Sequence, residues 1–256
     1  MEFERTFDNT AENYDKIRPD YVRDIFEDIF LYKAIDKDSN VLEIGMGSGK
    51  ASRKFLDTGC NLIGIEPGEN FVKMAKERYN NYPNFTAVKE TFESYTCSDE
   101  YFDLIYAATS FHWIAEEFGY KRVFQLLKSG GVFARFAYHA CGDRTNSNLN
   151  EEIQGLYARY MNRSGTKNLF SEAEAENIAD IACSYGFENT KYKLYETKKD
   201  FNADEYVKLL ETYPDHMSLN VDDREKLFSG IHSAINNNGG ILTMCYIMDL
   251  ELATKP

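Results

Sequence analysis

The sequence contains no long uninterrupted run of apolar residues. No segment approaches the roughly 20 residues that a helix needs to cross a bilayer. The first residues, Met1 to Arg5, also lack the basic and then apolar pattern of a secretory signal. We therefore expect no membrane partner and a cytoplasmic location.

Cysteine is scarce and scattered. The chain has 5 cysteines among 256 residues, and no two of them form a Cys-x-x-Cys pair. An odd number without paired spacing favours neither a disulfide framework nor a zinc cluster. We expect reduced thiols and no metal site.

Positive charge is also in short supply. The chain has 29 Lys and Arg against 42 Asp and Glu, a formal net charge of −13. Such a field repels phosphate backbones, so we expect no nucleic-acid partner. The charge does not exclude a small anionic substrate held by a local cluster of arginines. For the oligomeric state, the expectation is a monomer or a homodimer.

The chain does contain strands that alternate with helices. Short apolar runs predict five strands in the first part, at 40–44, 61–65, 84–88, 102–107 and 132–138, the last of them after a turn at Gly130-Gly131. Helical patterns fall between them, which predicts parallel strands joined by right-handed crossovers. Further strands are predicted at 192–197 and 241–250, with helices between about 142 and 236. The fold class is therefore α/β.

The length suits one domain over residues 1–256. Residues 1–35 are helical in character and predict an N-terminal cover. Residues from approximately 142 to 236 predict lid and substrate elements.

A glycine-rich loop follows the first strand. Gly45, Gly47 and Gly49 allow a sharp turn and a close approach of a ligand to the main chain, at the start of a helix. Glu43 precedes the loop, and Glu66 closes the second strand, where a carboxylate can accept both hydroxyl protons of a ribose. Loop and acids together indicate a ligand that contains adenosine.

Three ligands compete for this loop. A dinucleotide site has the pattern Gly-x-Gly-x-x-Gly, but here the third glycine comes one residue early. A phosphate-binding P-loop needs Ser or Thr after its Lys, but Lys50 is followed by Ala51. S-adenosylmethionine lacks the pyrophosphate and carries an ammonium group, which suits the negative charge of Glu43. A tight turn without any ligand is the remaining alternative.

The chain resembles the class I S-adenosylmethionine-dependent methyltransferases, in particular the type 11 or trans-aconitate-like small-molecule branch. The resemblance is carried by Val41–Gly49, Gly64–Pro67, Thr91–Glu93, Phe102–Ile105, Ser110–Trp113 and an N-terminal Tyr…Arg-Pro-x-Tyr element. Met46 departs from the usual small or acidic loop residue, and Ile114 stands where an acid or Phe often follows the His-Trp pair.

The resemblance implies a Rossmann-like three-layer sandwich with a seven-stranded, mostly parallel sheet, a reversed last strand and helical lid insertions. It also implies a set of residues that bind S-adenosyl-L-methionine. These are Tyr14, Arg18, Glu43, Gly45, Gly47, Gly49, Glu66, Pro67, Thr91, Phe92, Glu93 and Ala108. Arg18 has a surface ion pair as its alternative, and Phe92 has an ordinary place in the core.

Candidate catalytic and substrate residues follow the fourth strand and lie in the later part of the chain. His112 is the candidate general base, because the pKa of a histidine can lie near neutrality. A structural histidine is the equal alternative. Trp113, His139 and His216 are the candidate substrate contacts, and each of the two histidines is more often structural.

The expected reaction is methyl transfer from S-adenosyl-L-methionine to a small-molecule acceptor by in-line displacement, with the protein mainly supplying orientation. Two alternatives stay open at this point. One is a nicotinamide-linked oxidoreductase on the same architecture, and the other is a non-catalytic protein that binds an adenosyl ligand.

Overall fold

The computed structural model describes residues 15–162 and 169–256. The predicted cofactor residue Tyr14 lies outside the described residues. The first described helix of full length is α1 (Arg23–Tyr32), whose apolar residues recur at helical spacing. Ile25, Phe26 and Ile29 are buried on one face, as the sequence predicts.

Five strands and three helices alternate through the next part of the chain. The strands are β1 (Asn40–Ile44), β2 (Asn61–Ile65), β3 (Phe85–Val88), β4 (Phe102–Ala108) and β5 (Leu127–Asp143). The helices are α2 (Ser52–Leu56), α3 (Glu69–Arg78) and α4 (Glu116–Leu126), the last preceded by a short 3₁₀ turn (Phe111–Trp113). All four pairings among these strands are parallel.

The later elements are mostly helical. The helices are α5 (Ser147–Met161), α6 (Glu172–Cys183), α7 (Ala203–Leu210), α8 (Pro214–Met217) and α9 (Val221–Asn237). The strands are β6 (Glu188–Asn202) and β7 (Ile241–Thr254). Within the described ranges, no helix combines the length and the apolar character that crossing a membrane requires.

The last strand is reversed. The strand order is β3-β2-β1-β4-β5-β7-β6. The N–H of Lys255 donates to the carbonyl of Gly131 at 2.9 Å, and the N–H of Ala137 donates to the carboxylate of Asp249 at 3.0 Å. The partner number on β7 falls as the number on β5 rises, so β7 is antiparallel. The predicted seven-stranded, mostly parallel Rossmann-like sheet is confirmed.

Several predicted element bounds need correction. The turn predicted at Gly130-Gly131 is wrong, because both residues belong to β5 and pair with Lys255. β5 therefore begins earlier than expected, and β6 is longer at both ends than the predicted strand 192–197. A Gly-Gly pair usually indicates a turn, but here the backbone groups of both glycines form hydrogen bonds with Lys255, directly after β7, and remain part of a strand.

The sheet separates two apolar clusters. Leu104 and Tyr106 of β4 point into a cluster with α1 and α2. Ile105 and Ala107, the alternate residues of the same strand, point into a cluster with α4. A strand buried on both faces is typical of a parallel sheet covered by helices.

The chain divides into two compact units, and β5, β6 and β7 contribute residues to both. The helical unit contains the described residues of Met1–Pro19, His139–Phe170 and Glu196–Ile247. In it, α9 packs against α5 and α7. The glycine-loop unit contains Asp20–Tyr138, Ser171–Tyr195 and Met248–Pro256. The predicted single domain, with a cover at 1–35 and a lid at about 142–236, stays a prediction.

Candidate active site

The glycine loop joins β1 to α2 at the carboxyl end of the sheet. The N–H groups of Gly45 and Met46 donate to the carbonyl of Ile65 at 2.9 and 3.1 Å, which ties the loop to the end of β2. Gly45 has φ of 66°, and a Cβ there would lie 2.6 Å from the Cβ of Ser110. Both its conformation and its packing therefore require glycine.

The backbone at Gly47 borders a space that the described residues leave open. Gly47 has φ of 53°, yet a Cβ built on it would meet no atom of the described residues within 4 Å. The two glycines therefore differ, because Gly45 is packed against Ser110, whereas Gly47 is not packed against any side chain in the described part of the chain. A ligand can approach the main chain closely at Gly47.

Glu66 borders that space. Its carboxylate accepts hydrogen bonds from the N–H of Gly47 at 3.0 Å and from the N–H of Gly68 at 2.9 Å. Gly68 is the N-cap of α3, so this single side chain joins the glycine loop to the start of a helix. Pro67, between the two, is half-buried. The structure brings Glu66 beside the loop, and its contact with a ribose stays a prediction.

Glu43 lies beneath the loop and is fully buried. Its carboxylate accepts hydrogen bonds from the hydroxyl of Ser52, in the first turn of α2, and from that of Tyr106 at 2.7 Å. Burial raises the pKa of Glu43, the hydroxyl donors Ser52 and Tyr106 lower it, and the charge of Glu66 raises it. The net result is a pKa of about 7.

The sequence did not identify the two partners of Glu43. Ser52 could have been found as a small polar residue that opens α2. Tyr106 could have been found because it lies opposite Glu43 in the parallel register, but β4 reads as a uniformly apolar strand.

The rest of the loop is held by neighbouring side chains. The hydroxyl of Tyr79 donates to the carbonyl of Gly49 at 2.6 Å, and Arg78 donates to the carbonyl of Ser48 at 3.0 Å. Met46, the residue that departs from the family pattern, is buried and lies where a Cβ on Gly64 would be. Its thioether thus replaces a side chain that β2 lacks.

The turn after β4 is strained and lies next to the loop. Thr109 is β-branched, yet it has φ of 56°, a conformation that such residues rarely adopt. Its N–H donates to the carbonyl of Phe136 at 2.8 Å, and its hydroxyl bonds that of Tyr21 at 2.8 Å. Ser110 then donates to the carbonyl of Ile44, directly before the glycine loop. The sequence analysis did not single out Thr109, and it named Ser110 only within the motif Ser110–Trp113 and gave it no role, although both residues follow the carboxyl end of a central strand.

His112 and Trp113 follow in the short 3₁₀ turn, and both are exposed. The indole of Trp113 is 60% exposed, with its ring centroid 4.9 Å from that of His112. Ala108, another predicted cofactor residue, ends β4 and is half-buried. The roles predicted for these three residues stay predictions.

The segment after β3 is divided between core and surface. Phe92 is 4% exposed and packs edge-on against Phe118 with ring centroids 5.9 Å apart, which agrees with its alternative place in the core. The hydroxyl of Thr91 accepts from the N–H of Ser94 at 3.3 Å, and Glu93 is exposed. An adenine contact for these residues stays a prediction.

Arg18 belongs to the helical unit and is buried there. Its guanidinium donates to the hydroxyl of Thr212 at 3.0 Å and to the carbonyl of Thr212 at 2.9 Å, and it lies 4.0 Å from the centre of the Tyr213 ring. The structure thus shows a buried clamp on a turn, and not the surface ion pair that was the alternative for Arg18. A cofactor contact for Arg18 stays a prediction.

The two candidate substrate histidines also belong to the helical unit. The ring of His139 stacks on Phe170 with centroids 3.9 Å apart. His216 is 4% exposed, and its ring nitrogens lie 2.7 Å from Asp215 and 3.1 Å from the hydroxyl of Tyr157. Both histidines are engaged within their own unit, as their structural alternative predicts, and their substrate roles stay predictions.

The chain is similar to proteins known as methyltransferases. Residues 42–135 match the methyltransferase-domain family. An uncharacterized methyltransferase of Geobacillus thermodenitrificans is 32% identical over 203 residues, which cover 73% of this chain and 89% of the relative. An uncharacterized methyltransferase of Schizosaccharomyces pombe is 26% identical over 233 residues, covering 90% of this chain and 87% of the relative.

Solved structures share the fold. A protein from Anaeromyxobacter dehalogenans assigned as a type II methyltransferase has a TM-score of 0.67 at 17% identity, covering 93% of this chain and 97% of that chain. Phosphoethanolamine N-methyltransferase 2 of Haemonchus contortus, in complex with S-adenosyl-L-methionine, has a TM-score of 0.55 at 18% identity, covering 97% of this chain and 57% of that chain.

The matched family domain spans the strands and the glycine loop that form the site, and the Geobacillus relative matches over nearly its whole length. This family uses S-adenosyl-L-methionine as its cofactor. The expected cofactor is therefore confirmed, and the nicotinamide-linked alternative is not supported. The chain belongs to the class I S-adenosylmethionine-dependent methyltransferases.

Proposed function

We propose that the chain transfers a methyl group from S-adenosyl-L-methionine to a small-molecule acceptor by in-line displacement. The observation that carries the proposal is the open space beside the Gly47 backbone, bordered by the carboxylate of Glu66. When bound, the cofactor supplies a methyl group that its sulfonium has already activated.

The residues at the loop fit such a cofactor. Gly47 offers bare main chain, and Glu66 offers carboxylate oxygens beside it for the hydroxyl groups of a ribose. Glu43 and Glu66 lie close enough for the charge of one to raise the pKa of the other, so both favour a cation nearby. The site therefore suits a ligand with a ribose and positive charge better than a pyrophosphate.

The chain's own contribution is mainly orientation. Gly45 and Ser110 hold the loop against the turn after β4, so the end of β4 is placed relative to Gly47. Accurate placement of an acceptor can supply roughly 7–11 kcal/mol of a reaction barrier. A carboxylate acceptor needs no proton transfer. For a hydroxyl acceptor, a ring nitrogen of His112 takes the proton.

The charge of the molecule supports a small acceptor. A net charge of −13 opposes nucleic-acid substrates. The acceptors named for relatives differ. A relative from Ilyobacter polytropus, 30% identical over 152 residues, is a malonyl-[acyl-carrier protein] O-methyltransferase. A relative from Schizosaccharomyces pombe, 31% identical over 122 residues, is a sterol 24-C-methyltransferase. The acceptor class of this chain therefore rests on its own charge and site.

The proposal is tested at Glu66. Replacing it, as Glu66→Ala, removes the oxygens that border the Gly47 space. We expect the affinity for S-adenosyl-L-methionine to fall about a hundredfold in isothermal titration calorimetry. Glu66→Gln keeps the shape and one acceptor oxygen, so it guards against a loop that merely unfolds.

Glu77→Ala is the matched control, because Glu77 is an exposed carboxylate on the neighbouring helix α3. It should leave the affinity unchanged. Unaltered cofactor affinity in both Glu66 variants would show that the ribose assignment is wrong. Turnover is measured as formation of S-adenosylhomocysteine with a panel of small carboxylic acids, phenols and amines.

A further inference from the structure

We infer that the helical unit carries a second binding site, for a small anion of the carboxylate or phosphate class, held between Arg144 and Lys198. Its residues take no part in the glycine loop, and the inference does not depend on the acceptor proposed above.

The site is a cavity of about 250 Å³, formed by the end of β5 and by residues within β6 and β7. It is lined by Cys141, Arg144, Thr145, Glu196, Thr197, Lys198, Cys245, Tyr246 and Ile247. All nine residues belong to the helical unit, so this unit alone forms the cavity. The liquid volume of one water is about 30 Å³, so the space suits a ligand of several heavy atoms.

The cavity is lined by two cations, Arg144 and Lys198. Within residues 15–162 and 169–256, neither Arg144 nor Lys198 forms an ion pair, and both are exposed. Many other cations do pair, for example Lys50 with Asp20 and Lys128 with Asp103, both at 2.8 Å. The chain as a whole has a net charge of −13, so a cavity lined by two cations that form no ion pair differs from the rest of the molecule.

The turn that carries Arg144 is fixed by Asp143. One oxygen of this buried carboxylate accepts from the N–H and the hydroxyl of Thr145, both at 2.7 Å, and from the N–H of Asn146 at 3.0 Å. The other accepts from the N–H of Thr243 at 3.1 Å. Burial raises the pKa of Asp143, but these donors hold it below its usual range. The carboxylate of Asp143 therefore stays ionised at neutral pH and holds the turn that carries Arg144 in place.

Lys198 is positioned by the strand pairing. The hydroxyl of Thr243 donates to Asp200 at 2.7 Å, which places the end of β6 beside the start of β7. Lys198 lies two residues before Asp200 on the same face of β6, and Glu196 lies two residues before that. Arg144 on a braced turn and Lys198 on a strand therefore approach the cavity from two different elements.

The pKa of the Cys141 thiol, which lines the cavity, depends on the charged residues around it. Burial raises the pKa of the Cys141 thiol, and Cys245 and Glu196 raise it further. Arg144 and the backbone N–H of Ile247 lower it. Arg144 and Glu196 thus shift the pKa of the same thiol in opposite directions.

The chemistry of the rim defines the ligand. A guanidinium binds carboxylate or phosphate through a planar pair of N–H donors, and a lysine adds a point charge. Glu196 sits beside them and disfavours a second anionic group at that point. The ligand is therefore a compact anion, with one charged head for Arg144 and Lys198.

The test is direct binding to the whole protein at low ionic strength. Orthophosphate and acetate, each with one charged head, are titrated separately by calorimetry, and we expect dissociation constants of about 1 mM or tighter for at least one. Arg144→Gln and Lys198→Gln should each weaken that binding about tenfold or more. Lys226→Gln is the matched control, because it removes an exposed cation on α9 that does not line the cavity.

Tighter binding of phosphate assigns the phosphate class, and tighter binding of acetate assigns the carboxylate class. The inference is overturned if neither anion binds, if the two cavity variants bind as the wild type does, or if Lys226→Gln weakens binding equally.

Alkylation by iodoacetamide provides a second readout. The bound anion should slow the labelling of Cys141 by covering the thiol and raising its pKa. The exposed Cys183, outside the cavity, should react at an unchanged rate. Equal labelling of Cys141 with and without a saturating anion would also overturn the inference.

Discussion

Glu43 is a carboxylate that titrates where proteins are usually assayed. It is buried, and its pKa of about 7 lies well above its ordinary value of 4.5. The folded protein therefore keeps a proton that the unfolded chain releases between about pH 4.5 and 7. The protonated carboxyl stabilises the fold at low pH, and this contribution is lost as the pH rises through 7.

We expect Glu43→Gln to remove that loss. The cofactor-free variant should be more stable than the wild type above pH 7, by up to about 3 kcal/mol, and similar to it below pH 5. Urea unfolding at a series of pH values measures the difference. Conversely, a cationic cofactor needs an ionised Glu43, so the wild type should bind it more weakly at pH 6 than at pH 7.5.

Glu77→Gln, at an exposed carboxylate of α3, is the control and should alter neither pH profile. A wild-type protein whose stability is the same at pH 5 and pH 8, and equal to that of Glu43→Gln at both, would contradict the raised pKa of Glu43.

A substitution at His112 should distinguish acceptors that must lose a proton from acceptors that need no proton transfer. We expect His112→Ala to lower kcat for phenol and alcohol acceptors by about a hundredfold and to leave carboxylate acceptors and cofactor affinity unchanged. The measurement is transfer of a radiolabelled methyl group. His232→Ala is the control, since His232 is a half-buried histidine on α9. Equal losses with carboxylates and phenols would assign His112 a structural role.

At the scale of the element, two glycines of the same loop should have different roles, Gly45 in stability and Gly47 in cofactor binding. Gly45→Ala places its methyl group against Ser110 in a left-handed conformation and should cost about 3 kcal/mol of unfolding free energy. The new methyl group of Gly47→Ala meets no atom of residues 15–162 or 169–256 within 4 Å, so this substitution should cost only about 1 kcal/mol. Its methyl group occupies the cofactor space, so affinity should fall about tenfold or more. Chemical denaturation and calorimetry measure the two effects.

A second substitution checks the cause. Ser110→Gly in the Gly45→Ala background removes the atom that the new methyl group meets, and it should restore part of the lost stability. The opposite pattern, with Gly47→Ala less stable and Gly45→Ala unable to bind, would reverse the assignment of the two glycines.

The strands and the glycine loop were predictable because their signals are local. Alternating elements gave the parallel sheet, and Gly45, Gly47 and Glu66 stand close to one another in the sequence as well as in the fold. Thr109 was not predictable, since its left-handed backbone depends on Phe136 and Tyr21, far away in the chain. Contacts set by tertiary structure leave no trace in a local pattern.

The bounds of β5 failed for the same reason. A pair of glycines usually indicates a turn, but here Gly130 and Gly131 pair with Lys255 near the end of the chain. The burial of Arg18 likewise involves a distant residue, Thr212, to which its guanidinium donates. The order of elements in the sequence is enough to predict the sheet topology. The hydrogen-bond partners of individual residues are not predictable in this way, because many of them are far apart in the sequence.

For the whole molecule, the cofactor assignment predicts a thermal shift. At about 100 times its dissociation constant, S-adenosyl-L-methionine should add about 2.7 kcal/mol of stability. That corresponds to an increase in Tm of about 5–10 °C for a chain of this size. NAD at the same concentration should give no increase. A shift with NAD and none with S-adenosyl-L-methionine would contradict the cofactor assignment.

Met46 and Gly64 have a consequence for how this sequence can change over time. The thioether of Met46 fills the place that a side chain on Gly64 would need. Neither position can therefore drift alone, because enlarging one demands that the other shrink in the same lineage. Substitutions at Met46 and Gly64 should accordingly occur together in related sequences. The unusual residue in the glycine loop is thus explained by the glycine in the neighbouring strand β2.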